Sequence, residues 1–168
     1  MKAYYRLFSL AGFLACAGCM AFALYLEYVK HLEPCPMCIF QRVAMIVTGV
    51  FFLLGALHGP KAWGRWVYSG LATLSAVIGA LIAARHVWLQ SLPEDQVPAC
   101  GPTLNYLMDM MPLREVVEYV LKGEGSCAKI VGEWLGLTLP MWTMIGFIAL
   151  AGYAVSGPIL ARAFEKNS

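Results

Sequence analysis

The chain has 168 residues, 60% hydrophobic and 13% charged, with a formal net charge of +2 and a mean hydropathy of +0.67. A soluble domain carries about 45–50% apolar residues, so this balance excludes an ordinary water-soluble fold. Four stretches are each long enough to cross a bilayer, which takes about 20 apolar residues. The expected architecture is an all-α membrane protein of one domain (residues 1–168), a four-helix transmembrane bundle.

The first span covers about residues 7–28, with Lys2 and Arg6 before it. Those bases ahead of an apolar run also fit a cleaved signal peptide, and Cys16-Ala17-Gly18-Cys19 faintly resembles a lipoprotein cleavage site. The large aliphatic residue usual three positions before a lipidated cysteine is missing, and the apolar run continues past Cys19. A retained span fits better, with Cys16 and Cys19 as small thiols packed against neighbouring helices. A short outer loop (29–38) then ends in Cys35-Pro36-Met37-Cys38, and the second span covers 39–57. The third span (66–88) carries Gly70, Ser75, Ala76, Gly79 and Ala80, small residues that let helix backbones approach closely in lipid. A long outer loop (89–140) precedes the fourth span, 141–161.

Basic residues orient the bundle. Lys2 and Arg6, then Lys61 and Arg65, then Arg162 and Lys166 mark three segments as cytoplasmic, both termini included. The loops at 29–38 and 89–140 then face outward, and Lys30 alone does not reverse that. Four of six cysteines (Cys35, Cys38, Cys100 and Cys127) fall in or beside these outer loops, as expected of an exported, oxidising compartment. Trp66, Trp88, Trp134 and Trp142 sit near span boundaries and read as an aromatic belt.

The Cys-Pro-Met-Cys junction carries the chemistry. Pro36 suits the first position of a helix, where its missing N–H costs nothing. Cys35 is then the cap and Cys38 lies in the first turn, where unpaired N–H groups and the helix dipole favour thiolates. Arg42 follows at four and seven residues, so all three project from one face. A cation within a span is expensive and suggests function; its plain alternative is snorkelling to the headgroups. His86, near the outer end of the third span, is placed to hydrogen-bond or move a proton, or else to act as an interfacial anchor. Arg85 points about 100° away from it, and His31 and His58 read as surface residues. No intramembrane histidine pair is arranged as a bis-histidine haem requires.

In the long loop, seven acids (Glu94, Asp95, Asp109, Glu115, Glu118, Glu124, Glu133) outnumber three bases (Arg114, Lys122, Lys129). Pro93, Pro98, Pro102 and Pro112 predict turns and extended chain over its first half. Leu113, Val116, Val117, Val120 and Leu121 then repeat at helical spacing, started by Pro112 and stopped by Gly123 with Gly125. A short amphipathic helix tethered between spans is expected in the membrane interface, or as a plain packing helix. Met108, Met110 and Met111 are expected to dip into lipid, with copper binding by their thioethers a weak alternative. Cys100 and Cys127 flank this region. Their pairing is not fixed by spacing; they read either as a structural staple worth roughly 3–4 kcal/mol or as a second redox pair. Gly123, Gly125 and Ser126 would let Cys127 swing.

The order of these features, a first span, an outer loop, Cys-x-x-Cys followed by Ile39-Phe40-Gln41-Arg42, two spans, and a long loop with Cys100 and Cys127, resembles the DsbB family. The likeness covers nearly the whole chain, and the related DsbI proteins stay open. It implies a bacterial inner-membrane oxidase that regenerates a periplasmic DsbA-like thioredoxin-fold protein with quinone (ubiquinone or menaquinone) as electron acceptor. Cys100 would take the mixed disulfide with the partner, Cys127 would exchange with Cys35, and Cys38 would meet the quinone as a thiolate beside Arg42, with His86 near the ring. Gln41 departs from the acid expected there and is given no catalytic role. No metal and no nucleic acid are expected. Three rivals stand beside it: an electron conduit of the CcdA type using Cys16 and Cys19, a non-catalytic membrane scaffold or metal-binding protein with a Cys100–Cys127 staple, and a vitamin K epoxide reductase-like enzyme, against which the early Cys-x-x-Cys argues.

Overall fold

The computed structural model describes residues 2–32, 34–97, 101, 104–123, 125–128, 130 and 132–166. Its four long helices, α1 (Lys2–Tyr28), α2 (Pro36–His58), α3 (Ala62–Gln90) and α7 (Leu139–Lys166), are each apolar and long enough to cross a membrane. They contain the four expected spans and run past them at the ends. At 27 to 29 residues, α1, α3 and α7 are about 40 Å long, more than the ~30 Å hydrocarbon core.

The helices pack as a ring, α1 on α2, α2 on α3, α3 on α7 and α7 back on α1. Between lipid-soluble helices close packing replaces the hydrophobic effect as the holding force, and here it is made by aromatic rings set into glycine notches. Phe147 lies on Gly79, where a Cβ would come within 2.5 Å of the ring, and Phe8 and Phe52 fill the corresponding spaces at Gly157 and Gly12. Phe8 also stacks on Tyr153 with centroids 3.9 Å apart. Cys16 is buried in this core against Gly49. Polar groups at membrane depth are satisfied internally, as lipid demands: Thr48 donates to Ser75 at 2.9 Å and Ser75 to the Ala44 carbonyl at 3.1 Å.

At one end of the bundle α2 stops at Gly59 in a left-handed conformation (φ 50°). Arg6 Nε donates to the Ala56 carbonyl at 2.9 Å, and the Tyr5 hydroxyl to that of Arg65 at 3.1 Å. The long loop folds over the other end. It holds α4 (Leu104–Met110), α5 (Leu113–Lys122), α6 (Gly125–Ala128) and a hairpin of β1 (Glu133–Trp134) and β2 (Leu137–Thr138), with Glu133 opposite Thr138. The amphipathic helix forms where its pattern places it, after Pro112 and before Gly123 (φ 86°). Val116 and Val120 are buried with Met37, Leu89, Leu107 and Cys127, while Leu113 and Leu121 remain exposed. Arg85 fastens it to α3: Nε and Nη2 donate to the Leu121 and Lys122 carbonyls at 3.3 and 3.1 Å, and the guanidinium stacks on Trp88 at 4.1 Å.

The loop departs from the sequence reading in two places. Residues 104–110 are helical, not extended, because the flanking prolines fall outside the segment and Leu107 anchors it in the loop core. Met108, Met110 and Met111 are exposed. The hairpin was not anticipated. Its turn puts Leu135 (φ 55°) and Gly136 (φ 76°) both in the left-handed region, the geometry of a two-residue type I′ turn.

Candidate functional site

The first turn of α2 builds the dithiol. Cys35 is the cap residue in extended conformation (φ −67°, ψ 160°), with Pro36 at the first helical position as its sequence predicts. The backbone N–H of Cys38 donates to the Cys35 carbonyl at 2.9 Å, and the two sulfurs lie 3.1 Å apart. A helix start alone favours thiolates, yet the Cys35 thiol is held well above the ordinary range. Hydrogen bonding with the Cys127 and Cys38 sulfurs raises it, and burial adds to the effect.

Cys127, carried by α6, is buried at this point. The sulfurs of Cys35 and Cys127 and a ring nitrogen of His86 all lie within 4.8 Å of one another. His86 is itself buried on α3 and joins three elements: Nε2 is 3.0 Å from the Cys127 carbonyl and 3.7 Å from Cys35 Sγ, and Nδ1 is 3.3 Å from Gln41 Nε2. A carbonyl only accepts, so Nε2 carries the proton, and Nδ1 then accepts from the Gln41 amide. Gln41, passed over in the sequence, fixes the tautomer. An ionised acid at that position has no proton to donate to Nδ1. As ligands for a soft metal ion, Cys35, His86 and Cys127 would require His86 to give up the proton bound to Cys127. As a redox cluster they require no such rearrangement.

Arg42 shares the helix face of Cys35 and Cys38, as its spacing implies, but its guanidinium does not contact a sulfur. Nη1 pairs with the Glu27 carboxylate and Nη2 donates to the Ala23 carbonyl at 3.4 Å, both on α1. Glu27 carries no sequence signal, because a carboxylate near a helix end at a membrane surface reads as a solvated charge.

Cys35, Cys38, Gln41, Arg42 and His86 line a cavity of about 590 Å³ that reaches down the bundle. Its walls are mostly apolar (Phe22, Leu26, Met45, Trp142), with Gln41, Arg42, His86, Gln90, Asn105 and Thr143 among the polar residues. Gln90 stands one turn beyond His86, and its buried Oε1 has no hydrogen-bond partner among the described residues. Cys19 is exposed on the cavity wall, which corrects its expected packed position, whereas Cys16 is buried. Cys100 lies outside the described residues, as does the side chain of Trp134.

Four apolar spans closed at one end over a cluster of cysteines define a multi-pass membrane thiol oxidoreductase. The comparisons make the class specific. The chain belongs to the family described as Disulfide bond formation protein DsbB, which matches residues 5–157. It is 50% identical over 151 residues to the Disulfide bond formation protein B of Saccharophagus degradans, covering 90% of this chain and 91% of that one. The protein of the same description from Nitrosococcus oceani is 52% identical over 139 residues (83% and 82%), and that of Xanthomonas oryzae pv. oryzae 50% identical over 154 residues (91% and 90%). The protein is thus a membrane thiol oxidase of disulfide bond formation.

Proposed function

We propose that the protein reoxidises a periplasmic DsbA-like dithiol protein and passes the electrons to membrane quinone. The observation that carries this reading is the seat of Cys127: it lies beside Cys35, which together with Cys38 lines a mostly apolar cavity. In this reading residues 1–168 form one domain of the bacterial inner membrane, with cytoplasmic termini and periplasmic loops at 29–38 and 89–140. The interfacial side of α5, with Leu113 and Leu121 outward, would hold the long loop at the bilayer surface.

Two thiols of the partner would reduce the Cys100–Cys127 disulfide through a mixed disulfide at Cys100, leaving the partner oxidised. Cys127 as thiolate would attack Cys35, displacing Cys38; Cys100 then closes on Cys127 and restores the loop disulfide, leaving Cys35 and Cys38 reduced. Two electrons and two protons thus arrive at the α2 pair. The geometry supports that hand-over, because the His86 proton on the Cys127 carbonyl holds the loop where Cys127 faces Cys35. The residues also fit a quinone. The cavity is mostly apolar, Cys38 and Arg42 line it, and the orphaned Gln90 Oε1 is an acceptor suited to a quinol hydroxyl. A bound quinone supplies a two-electron, two-proton acceptor at this place. Arg42 would favour the anionic charge that develops there, and Cys38 would present its sulfur to the cavity as Cys35 re-forms the disulfide.

The test mixes detergent-purified protein with excess reduced DsbA-like partner and follows the absorbance of added quinone. Stoichiometric quinone reduction is expected, lost in Cys38→Ser and in Cys100→Ser. Folded protein that turns over no quinone would overturn the mechanism.

A further inference from the structure

Glu27 stands in the last turn of α1, where the negative end of the helix dipole disfavours a carboxylate. A tyrosine or glutamine would fill the same boundary position without that cost. What offsets it is the ion pair with Arg42, which lies on the cavity wall two turns into α2. The pair is only partly exposed, with side-chain accessibilities of 22% for Arg42 and 25% for Glu27. The Ala23 carbonyl takes a second guanidinium N–H from the same side, so both polar contacts pull the cation toward α1. An arginine at this depth would otherwise snorkel outward to the headgroups or fold back along α2 toward Cys38.

We propose that Glu27 is the positioning residue of the site: it parks the Arg42 guanidinium on the α1 wall of the cavity, where the cation meets an oxygen-bearing ligand entering beside Cys38 and does not neutralise the sulfur directly. The inference rests on the quinone reading for the identity of that ligand, but the parking itself is made by protein groups alone. It assigns α1 a part in the chemistry, although the four cysteines of the proposed redox route lie on α2 and in the long loop. The carboxylate has a second consequence. With Glu27 present the Arg42 site is neutral overall, so an uncharged ligand enters without displacing a bare cation, and the positive charge is drawn out only as negative charge builds on the ligand.

Two readouts separate this from a pair that merely joins two helices. In reduced, quinone-free protein, the rate of Cys38 alkylation by iodoacetamide reports how much of the Arg42 charge reaches the sulfur. Quenching of tryptophan fluorescence, with Trp142 on the cavity wall, reports the Kd of a short-tailed ubiquinone. Glu27→Gln is expected to speed Cys38 alkylation severalfold at neutral pH, because the released cation lowers the cost of the thiolate, and to weaken quinone binding about tenfold. Glu27→Asp, which keeps the charge on a shorter arm, should fall between. The exchanged pair Glu27→Arg with Arg42→Glu restores a helix–helix salt bridge but puts the anion on α2. It should slow Cys38 alkylation below the wild-type rate and leave quinone binding weak. Recovery of both values by the exchanged pair, or unchanged values in Glu27→Gln, would overturn the assignment. If wild-type protein binds no quinone, the functional reading fails, and the alkylation series still decides whether Glu27 places Arg42.

Discussion

His86 has two ring nitrogens and one proton, and its neighbours settle where that proton sits. The Cys127 carbonyl takes it at Nε2, while the Gln41 amide faces Nδ1. Replacing Gln41 by leucine keeps the volume but removes the donor, so the proton is free to move to Nδ1 and the grip on Cys127 is lost. Misplacing a reacting group by about 1 Å costs on the order of a hundredfold in rate. Gln41→Leu should therefore slow steady-state oxidation of the partner by about ten- to a hundredfold. The first turnover, which in the proposed route starts from an oxidised Cys100–Cys127 pair, should stay at the wild-type rate in a rapid-quench experiment. Cys35 allows a second test. Its folded pKa lies above the unfolded value because it is hydrogen-bonded with Cys127 and Cys38 and is partly buried. The folded state thus holds the proton to higher pH than the unfolded chain does. The stabilisation is complete below about pH 8.5, the ordinary thiol value, and is lost as pH rises beyond it. The melting temperature of the reduced protein should fall between about pH 8 and about pH 10, and Cys35→Ser should flatten that slope.

Among the elements, those written in local chemistry are read from sequence and those written in contacts between elements are not. The four spans follow from apolar length, and α5 from a 3.6-residue repeat between Pro112 and Gly123. The cap at Cys35 follows from a proline one residue on. The hairpin after α6 has none of the usual signals, since its turn is Leu135-Gly136, and a leucine is seldom placed at positive φ. Residues 104–110 look broken because prolines surround them, yet none falls inside. Rotation of one helix against another is equally silent in the sequence, and it is what brings Glu27 to Arg42 and Gln41 to His86. The notches between helices can be tested directly. Gly79→Ala places a Cβ 2.5 Å from the Phe147 ring, which must move, and overpacking of this kind costs about 1–3 kcal/mol. Gly70 on the same helix has no neighbour within 4 Å. Gly79→Ala should lower the melting temperature in detergent, and Gly70→Ala should leave it unchanged or raise it slightly through helix propensity.

At the scale of the whole molecule, the four-cysteine route and the conduit rival differ in which face of the membrane the electrons must reach. The pair at Cys35 and Cys38 and the seat of Cys127 lie together at one end of the bundle, under the folded loop. A conduit needs a relay through the bilayer, for which the first span offers Cys16 and Cys19. Cys16 is buried against Gly49 in the helix core, with no thiol or base presented to it by α2 at that level. Cys19 opens onto the cavity that Cys35 and Cys38 also line, so it faces the same space as the α2 pair and not the opposite membrane surface. The cysteines of α1 are therefore dispensable for electron flow if that flow ends in the cavity. The double variant Cys16→Ser and Cys19→Ser should retain partner oxidation within about twofold of wild type, the range of an ordinary surface or tolerant core change. Any loss should appear as a lower melting temperature, from the hydroxyl buried at position 16. Activity abolished in a double variant that melts normally would transfer the electron route to α1 and make the protein a conduit across the membrane.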